Sequence, residues 1–284
     1  MPAGFLLTIH WKYWGCGSLQ FVDSRSKTLR EKVLYVAEHG KRGHLPSAMS
    51  LLEILRVLYD NIFDFDVSEP WMATRDRLIL SKGHGCIALY VLLQDKGFFD
   101  LKELEDFCKF DGKLGGHPEY RVLPGIESST GSLGHGAAFG VGHAYASRLL
   151  KKDYRVWVVM GDGEMNEGSV WESLMAAAHH ELANINFIID ANGKQASGDS
   201  SSIWNLGNLK QKIEAFGINS FECDGHDIDE LEKTFKEMIL DKKPSCLIAR
   251  TTKGKGILKL EAESSWHHKS AISNDEVEML KNSL

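Results

Sequence analysis

The 284-residue chain is 43% hydrophobic and 25% charged, enough for a full core and for one large domain or two small ones. Its net charge of -6, with interspersed signs, excludes the basic stripe that tracks a nucleic-acid backbone, so no nucleic-acid partner is expected. Five cysteines (Cys16, Cys86, Cys108, Cys223, Cys246), far apart and without a C-x-x-C pair, fit a reducing cytoplasm, and no run approaches the ~18–20 apolar residues of a membrane span.

Residues 1–17 (MPAGFLLTIHWKYWGCG) hold a short apolar patch with neither a basic lead segment nor a small-residue cleavage pattern, and are read as an N-terminal extension of unassigned role. Residues 18–284 show no internal repeat, low-complexity block or Pro-rich linker, so one domain is expected there. The spacing of Leu29, Val33, Leu34 and Val36 predicts an amphipathic helix over 24–40, and a second is predicted over 50–58. "RLILSKGHGCIALYVLLQDKG" reads as a strand at 77–80, a Lys-Gly-His-Gly turn and a helix ending near Gly97. In the Gly-rich stretch that follows, Gly131 and Gly134 can bring bare amides to a ligand, while Gly136, Gly140 and Gly142 let a helix pack closely on a neighbour. The continuous apolar runs at 155–160, 185–190 and 245–250 fit strands buried on both faces of a parallel sheet. Helices are predicted over 168–183 and in "DIDELEKTFKEMIL". The expected fold is therefore α/β, a doubly wound, mainly parallel sheet flanked by helices, with ligands outside the carboxyl ends of the strands. Gly161, Ala191 and Thr251 are expected just past those ends.

"VVMGDGEMNEGSVWE" (158–172) has the shape of a phosphate loop but the wrong charge, since it carries Asp162, Glu164, Glu167 and Glu172. Asp162 ends one predicted strand and Asn192 ends the next, with a crossover helix between, so parallel topology sets the two side by side. An Asp carboxylate, an Asn carbonyl and a backbone carbonyl form a hard-oxygen set suited to Mg²⁺ or Ca²⁺, which would stand between an acidic loop and a phosphate group. The alternative is a tight turn in which Asp162 is only a helix N-cap. Gly-Asp-Gly, a helix, then Asn after a second apolar strand resembles the signature of thiamine-diphosphate enzymes.

The resemblance is to the transketolase family and runs from about Ser24 to Lys269. Its motifs come in the family's order: "GHLPS" (43–47), "LSKGHG" (80–85), "GGHPEY" (115–120), "STGSLGHG" (129–136), "GDGEMNEGSVWE" (161–172), "DANGKQ" (190–195), "TTKGKG" (251–256) and "SWHHK" (265–269). It implies the diphosphate-binding (PP-type) domain of the thiamine-diphosphate fold over residues 18–284. Asp162, Asn192 and the Lys194 carbonyl are then expected to hold Mg²⁺, for which Ca²⁺ or Mn²⁺ can substitute. Gly163, Glu164, Asn192 and Lys253 would approach the diphosphate, and Ser47, His84, Gly131, Ser132 and Leu133 would line the cofactor. His44, His117 and His267 match histidines that contact the donor ketose and assist proton transfer, His267 also touching the cofactor. His143, His179, His180 and His226 match nothing catalytic and are read as structural. Glu167 matches a glutamate of a proton relay at a subunit interface; its alternative is a first-turn glutamate favoured by the helix dipole. Two departures stand out: His135 replaces Gln in Leu-Gly-Gln-Gly, and His268 replaces the glycine of Trp-His-Gly, where it could crowd the diphosphate or reorient His267.

The implied activity is transfer of a two-carbon ketol unit from a ketose to an aldose, with sugars or sugar phosphates as substrates. Several imidazoles suit that chemistry, because hydroxyl protons must move near neutral pH. A full transketolase also carries a pyrimidine-binding domain, whose glutamate activates the cofactor. The expectation is therefore a split enzyme: this chain as the N-terminal, diphosphate-binding subunit, inactive alone, joined by a separately encoded C-terminal pyrimidine-domain subunit in an A2B2 assembly. The α-type subunit of a 2-oxo acid dehydrogenase and a non-catalytic cofactor-binding homologue are the alternatives; the histidines at 44, 84, 117 and 267 argue against the first.

Overall fold

The computed structural model describes residues 22–284, and the expected extension over 1–17 lies outside them. Helix α1 (Ser24–Gly40) starts where the Asp23 carboxylate accepts from the backbone N–H groups of Arg25 and Ser26, and it stops at Lys41, whose φ of 55° is left-handed. The chain continues through α2 (Leu45–Met49), α3 (Leu52–Val57), β1 (Arg77–Leu80), α4 (Cys86–Asp95), α5 (Leu101–Glu105), α6 (His135–Leu149), β2 (Val156–Gly161), α7 (Gly168–His179) and β3 (Ile185–Ala191). It ends with α8 (Ser200–Ile203), α9 (Leu209–Ala215), β4 (Asn219–Asp224), α10 (Ile228–Leu240), β5 (Ser245–Arg250), α11 (Leu258–Ala262) and α12 (Asn274–Asn282).

The strands form one sheet in the order β1-β2-β3-β5-β4, and every pair is parallel. Period-two alternation sends successive residues to opposite faces. Leu78, Leu80, Trp157, Val159, Ile188 and Leu247 pack on one side with residues of α1 to α5 and α10 to α12. Ile79, Val156, Val158, Met160, Phe187 and Ile248 pack on the other with α6, α7 and α9. A sheet covered on both faces needs apolar residues at every position of its central strands, hence the continuous runs in the sequence. Gly140 lets α6 approach β2: a Cβ there would strike Val158.

The structure corrects the expected elements in three places. The helix expected over 50–58 starts only at Leu52, after a turn at Ser50 where the Ser50 hydroxyl donates to Asp190 Oδ2 at 2.7 Å, and its far end widens into a π-helical turn over Leu58–Ile62. β4 was not expected; as an edge strand its residues are only partly buried, and "NSFECD" carries no apolar run. Gly161 and Ala191 are the last residues of β2 and β3 rather than the first beyond them, whereas Thr251 does follow β5.

Candidate active site at the carboxyl ends of the strands

A cavity of about 530 Å³ opens over the carboxyl ends of β1, β2 and β3, where parallel strands deliver the loops that follow them. Its lining includes His44, Ser47, His84, His117, Gly131, Leu133, Asp162, Gly163, Glu164, Glu167, Asn192, Lys194, Lys253 and His267. Of the residues expected to hold metal, cofactor or sugar, Ser132 alone is not among the lining; it is exposed beside Gly131.

The acidic side is built by register. Gly161 pairs with Asp190, so the turn after β2 meets the turn after β3. Asp162 Oδ2 accepts from the Gly193 N–H at 3.0 Å and the Ser200 hydroxyl at 2.8 Å. Asp162 makes no capping bond to the short helical turn after it, so its carboxylate is used across the two loops and not as an N-cap. Burial raises its pKa, the hydrogen bond from Ser200 opposes this, and the nearby Asp190 charge raises it further. Asn192 Oδ1 accepts from the Lys194 N–H at 3.0 Å, which folds the 192–194 segment back toward Asp162. Among the described residues no three His, Cys, Asp or Glu side chains gather as a metal site, so a cation here would rely on one carboxylate with amide and backbone oxygens.

Below this lies an ion pair that sequence reasoning missed. Lys82, on the turn after β1, bonds Asp190, the last charged residue of β3, and both are buried. Asp190 also accepts from Ser50, Thr251 and Asn192. Burial alone would raise its pKa; the Lys82 ammonium outweighs that and holds the carboxyl below its usual range. The available signal was a charged residue ending an otherwise apolar run, which demands a partner once the strand is buried.

Glu164 lines the cavity, but its buried carboxylate is turned to the protein: it accepts from the Ser81 hydroxyl, from the Gly134 N–H at 2.8 Å and from the Gly161 N–H at 3.2 Å. It clamps the 131–134 loop to the Gly-Asp-Gly turn. Within that loop Gly131 has φ +134° and a Cβ would meet the His117 ring at 2.8 Å, so a side chain cannot stand there. His135, the first departure from the family pattern, is exposed outside the cavity, and its ring bonds the Leu133 carbonyl at 3.2 Å.

The other side is imidazole-rich. His44 lies 5.4 Å from His84, 6.0 Å from His117 and 5.6 Å from His267, ring centre to ring centre. Burial, then the neighbouring imidazoles, push His44 down to about 3; burial, then the Lys253 charge, push His267 down to about 4. Both are neutral at pH 7, so each ring offers one donor and one acceptor nitrogen. Lys253 donates to His267 Nδ1 at 2.6 Å and to the Gln195 carbonyl at 3.4 Å, and burial followed by the Lys82 charge lowers it to about 8. Ser47 Oγ, Asn166 Oδ1 and Gln195 Nε2, all on the cavity lining, are buried without a hydrogen-bond partner. Orphaned polar atoms beside a carboxylate and an ammonium fit an anionic, polyoxygenated ligand held with a cation. Glu167, by contrast, is exposed at the start of α7 and caps nothing.

Residues 23–284 match the family described as "Transketolase, thiamine diphosphate binding domain". The chain belongs to the transketolase family. Within that family it is 38% identical over 251 residues to the A subunit of apulose-4-phosphate transketolase from Phocaeicola vulgatus, covering 88% of this chain and 89% of that one. The protein of the same name from Actinobacillus succinogenes is 37% identical, with 91% and 94% covered. Mouse transketolase-like protein 2 is 38% identical, with 89% of this chain but only 40% of that protein covered. Among solved structures, transketolase from Campylobacter jejuni superimposes with a TM-score of 0.83 at 29% identity (91% and 42% covered), and that from Leishmania mexicana with 0.82 at 27% (94% and 44%). The chain thus spans nearly all of the two apulose-4-phosphate transketolase subunits and under half of the longer transketolases. The expected α/β transketolase fold and thiamine-diphosphate-binding domain are both met.

Proposed function

We propose that this chain is the diphosphate-binding subunit of a two-subunit transketolase. With a separately encoded pyrimidine-domain subunit, in an A2B2 assembly, it transfers a two-carbon ketol unit from a ketose to an aldose. The observation that carries this is the convergence on one cavity of a carboxylate–amide pair, an ammonium and four imidazoles, in a chain that matches single subunits of split transketolases almost end to end. The names of those relatives favour sugar phosphates as the substrate class.

In this reading Asp162, Asn192 and the Lys194 carbonyl hold Mg²⁺, or Ca²⁺ or Mn²⁺ in its place. Gly163 and Lys253 receive the diphosphate, with Ser47, His84 and the Gly131, Ser132 and Leu133 segment beside the cofactor. Bound thiamine diphosphate supplies the electron sink for carbon–carbon cleavage. Glu164 acts through the loop it clamps rather than by touching the ligand. Neutral His44 accepts a hydrogen bond from a sugar hydroxyl and takes up or returns its proton, His267 donates from its Nε2–H because its Nδ1 already accepts from Lys253, and exposed His117 meets the sugar nearer the mouth. Lys253 orients His267 by donating to its Nδ1. The exposed Glu167 is available to a partner as a relay group, and the exposed Phe139 and Leu149 of α6, Leu150 just after it and Met175 of α7 give that partner an apolar surface. Four described cysteines are free, and no described helix is long and apolar enough to cross a membrane, which agrees with a cytoplasmic setting.

The test is to purify the chain alone and with the pyrimidine-domain subunit, then measure ketol transfer with thiamine diphosphate and Mg²⁺. Activity is expected only from the pair. Full activity from this chain alone, or pyruvate serving as donor in place of a ketose, would sink the reading.

A further inference from the structure

His268 stands where the transketolase resemblance has a glycine, and the backbone sets it opposite His44. The Gly43 N–H donates to the Lys269 carbonyl at 2.9 Å, and the Lys269 N–H to the Gly43 carbonyl at 3.1 Å. This isolated antiparallel bridge makes positions 44 and 268 cross-strand neighbours. Their rings lie 4.6 Å apart, tilted by 38°, closer than His84, His117 or His267 comes to His44. Those three line the cavity with His44; His268 does not, and it is exposed. Its ring is therefore packed on His44 from outside. It neither fills the cavity nor displaces His267, whose Nδ1 is held by Lys253.

We infer that His268 is a positioning residue for His44, covering the outer side of that imidazole and fixing its orientation toward the sugar hydroxyls within. The inference rests on the proposed ketol transfer for its catalytic meaning, but the contact itself is a property of this chain. The groups facing His44 are His268, His267, His117 and Lys253 through their charge and His84 through its ring; burial is the largest cause of its lowered pKa, and His268 is the next. Removing the His268 ring admits water to His44 and relieves repulsion, and both changes raise the His44 pKa.

The assembled two-subunit enzyme should be compared as wild type, His268→Gly and His268→Phe. His268→Gly is expected to lower kcat about tenfold at pH 7 with KM within about twofold, and to move the acid limb of the kcat profile up by about one pH unit. His268→Phe keeps a ring over His44 and should recover kcat to within about threefold, because cover matters more than charge. A second readout needs no turnover: the His44 ring titration, followed by NMR in the 284-residue chain, should shift upward in His268→Gly. A wild-type pair without ketol transfer would defeat the proposed activity and leave this titration decisive. An unmoved His44 titration, or a rise in KM with kcat and the acid limb unchanged, overturns the inference, the latter by making His268 a sugar contact.

Discussion

Two of the charge networks buried among the described residues have similar chemistry and opposite use. On one, Arg30 is fully buried: its guanidinium donates to Glu53 at 2.6 and 3.1 Å and to the Lys255 carbonyl at 2.8 Å. Glu53 also meets His226 Nδ1 at 2.9 Å, and His226 Nε2 accepts from the Thr252 N–H at 2.8 Å, so the Nδ1–H must donate. The pattern stitches α1, α3 and the loops after β4 and β5 together, and it accounts for His226 as a structural histidine. On the other, Lys82 and Asp190 are paired just as deeply, yet Ser47, Asn166 and Gln195 around the same cavity keep polar atoms without partners. Burial of charge does not mark a site, because a fully satisfied network is only architecture. Unsatisfied polar atoms beside a charged network are what point to a ligand.

The largest way to break this contrast is Glu53→Ala. It strands Arg30 without its counter-charge and should cost about 3–5 kcal/mol of stability, read by urea unfolding. The protein that remains folded should bind cofactor as the wild type does. Acid should act on the same network. Burial would raise the Glu53 pKa, but the His226 hydrogen bond and the Arg30 charge overcome it and hold the folded value at about 2 against 4.5 ordinarily. A depressed carboxylate stabilises the fold above its unfolded pKa and loses that contribution as pH falls through the folded value. Stability on the order of 3 kcal/mol should therefore disappear between pH 4.5 and 2, and Asp190, shifted in the same direction, adds to the loss. In Glu53→Gln the slope over this window should flatten. A somewhat smaller effect is expected on the cavity side: Asp162→Asn in the assembled enzyme should weaken Mg²⁺-dependent binding of thiamine diphosphate about a hundredfold, roughly 2.7 kcal/mol, by calorimetry.

How far each network was legible follows from the distance its partners span. The three central strands announced themselves because burial on both faces leaves no polar position, and Asp162 with Asn192 could be placed side by side from strand order alone. Lys82 and Asp190 could not, since they are 108 residues apart in the chain and each sits inside a motif that has other reasons to exist. β4 was missed because an edge strand need not be apolar, and the turn at Ser50 because its cause, the Asp190 carboxylate, arrives from another element. Glu164 does line the cavity, but that its carboxylate faces Gly134 and Ser81 depends on loops 30 and 83 residues away in the chain and could not be read from its motif. His268 was visible as a departure, whereas its contact with His44 needed the Gly43–Lys269 bridge.

The smallest effect is the most discriminating, because its sign differs between the two networks. Burial raises the Asp162 pKa and the neighbouring Asp190 charge adds to it, so the ionised carboxylate costs the metal-free fold stability as pH rises above the unfolded value. Asparagine at 162 can put its amide oxygen where Oδ2 stands and still accept from Gly193 and Ser200, while removing the charge. Asp162→Asn should therefore stabilise the chain by about 0.5–1 kcal/mol in thermal melts at pH 7 with a chelator present. Adding Mg²⁺ with thiamine diphosphate and the partner subunit should reverse the order, since mass action then favours whichever protein binds the ligands. A loss of stability in the chelated melt, of the kind Glu53→Ala gives, would mean that Asp162 belongs to the architecture after all and that its strain is not held in reserve for a cation.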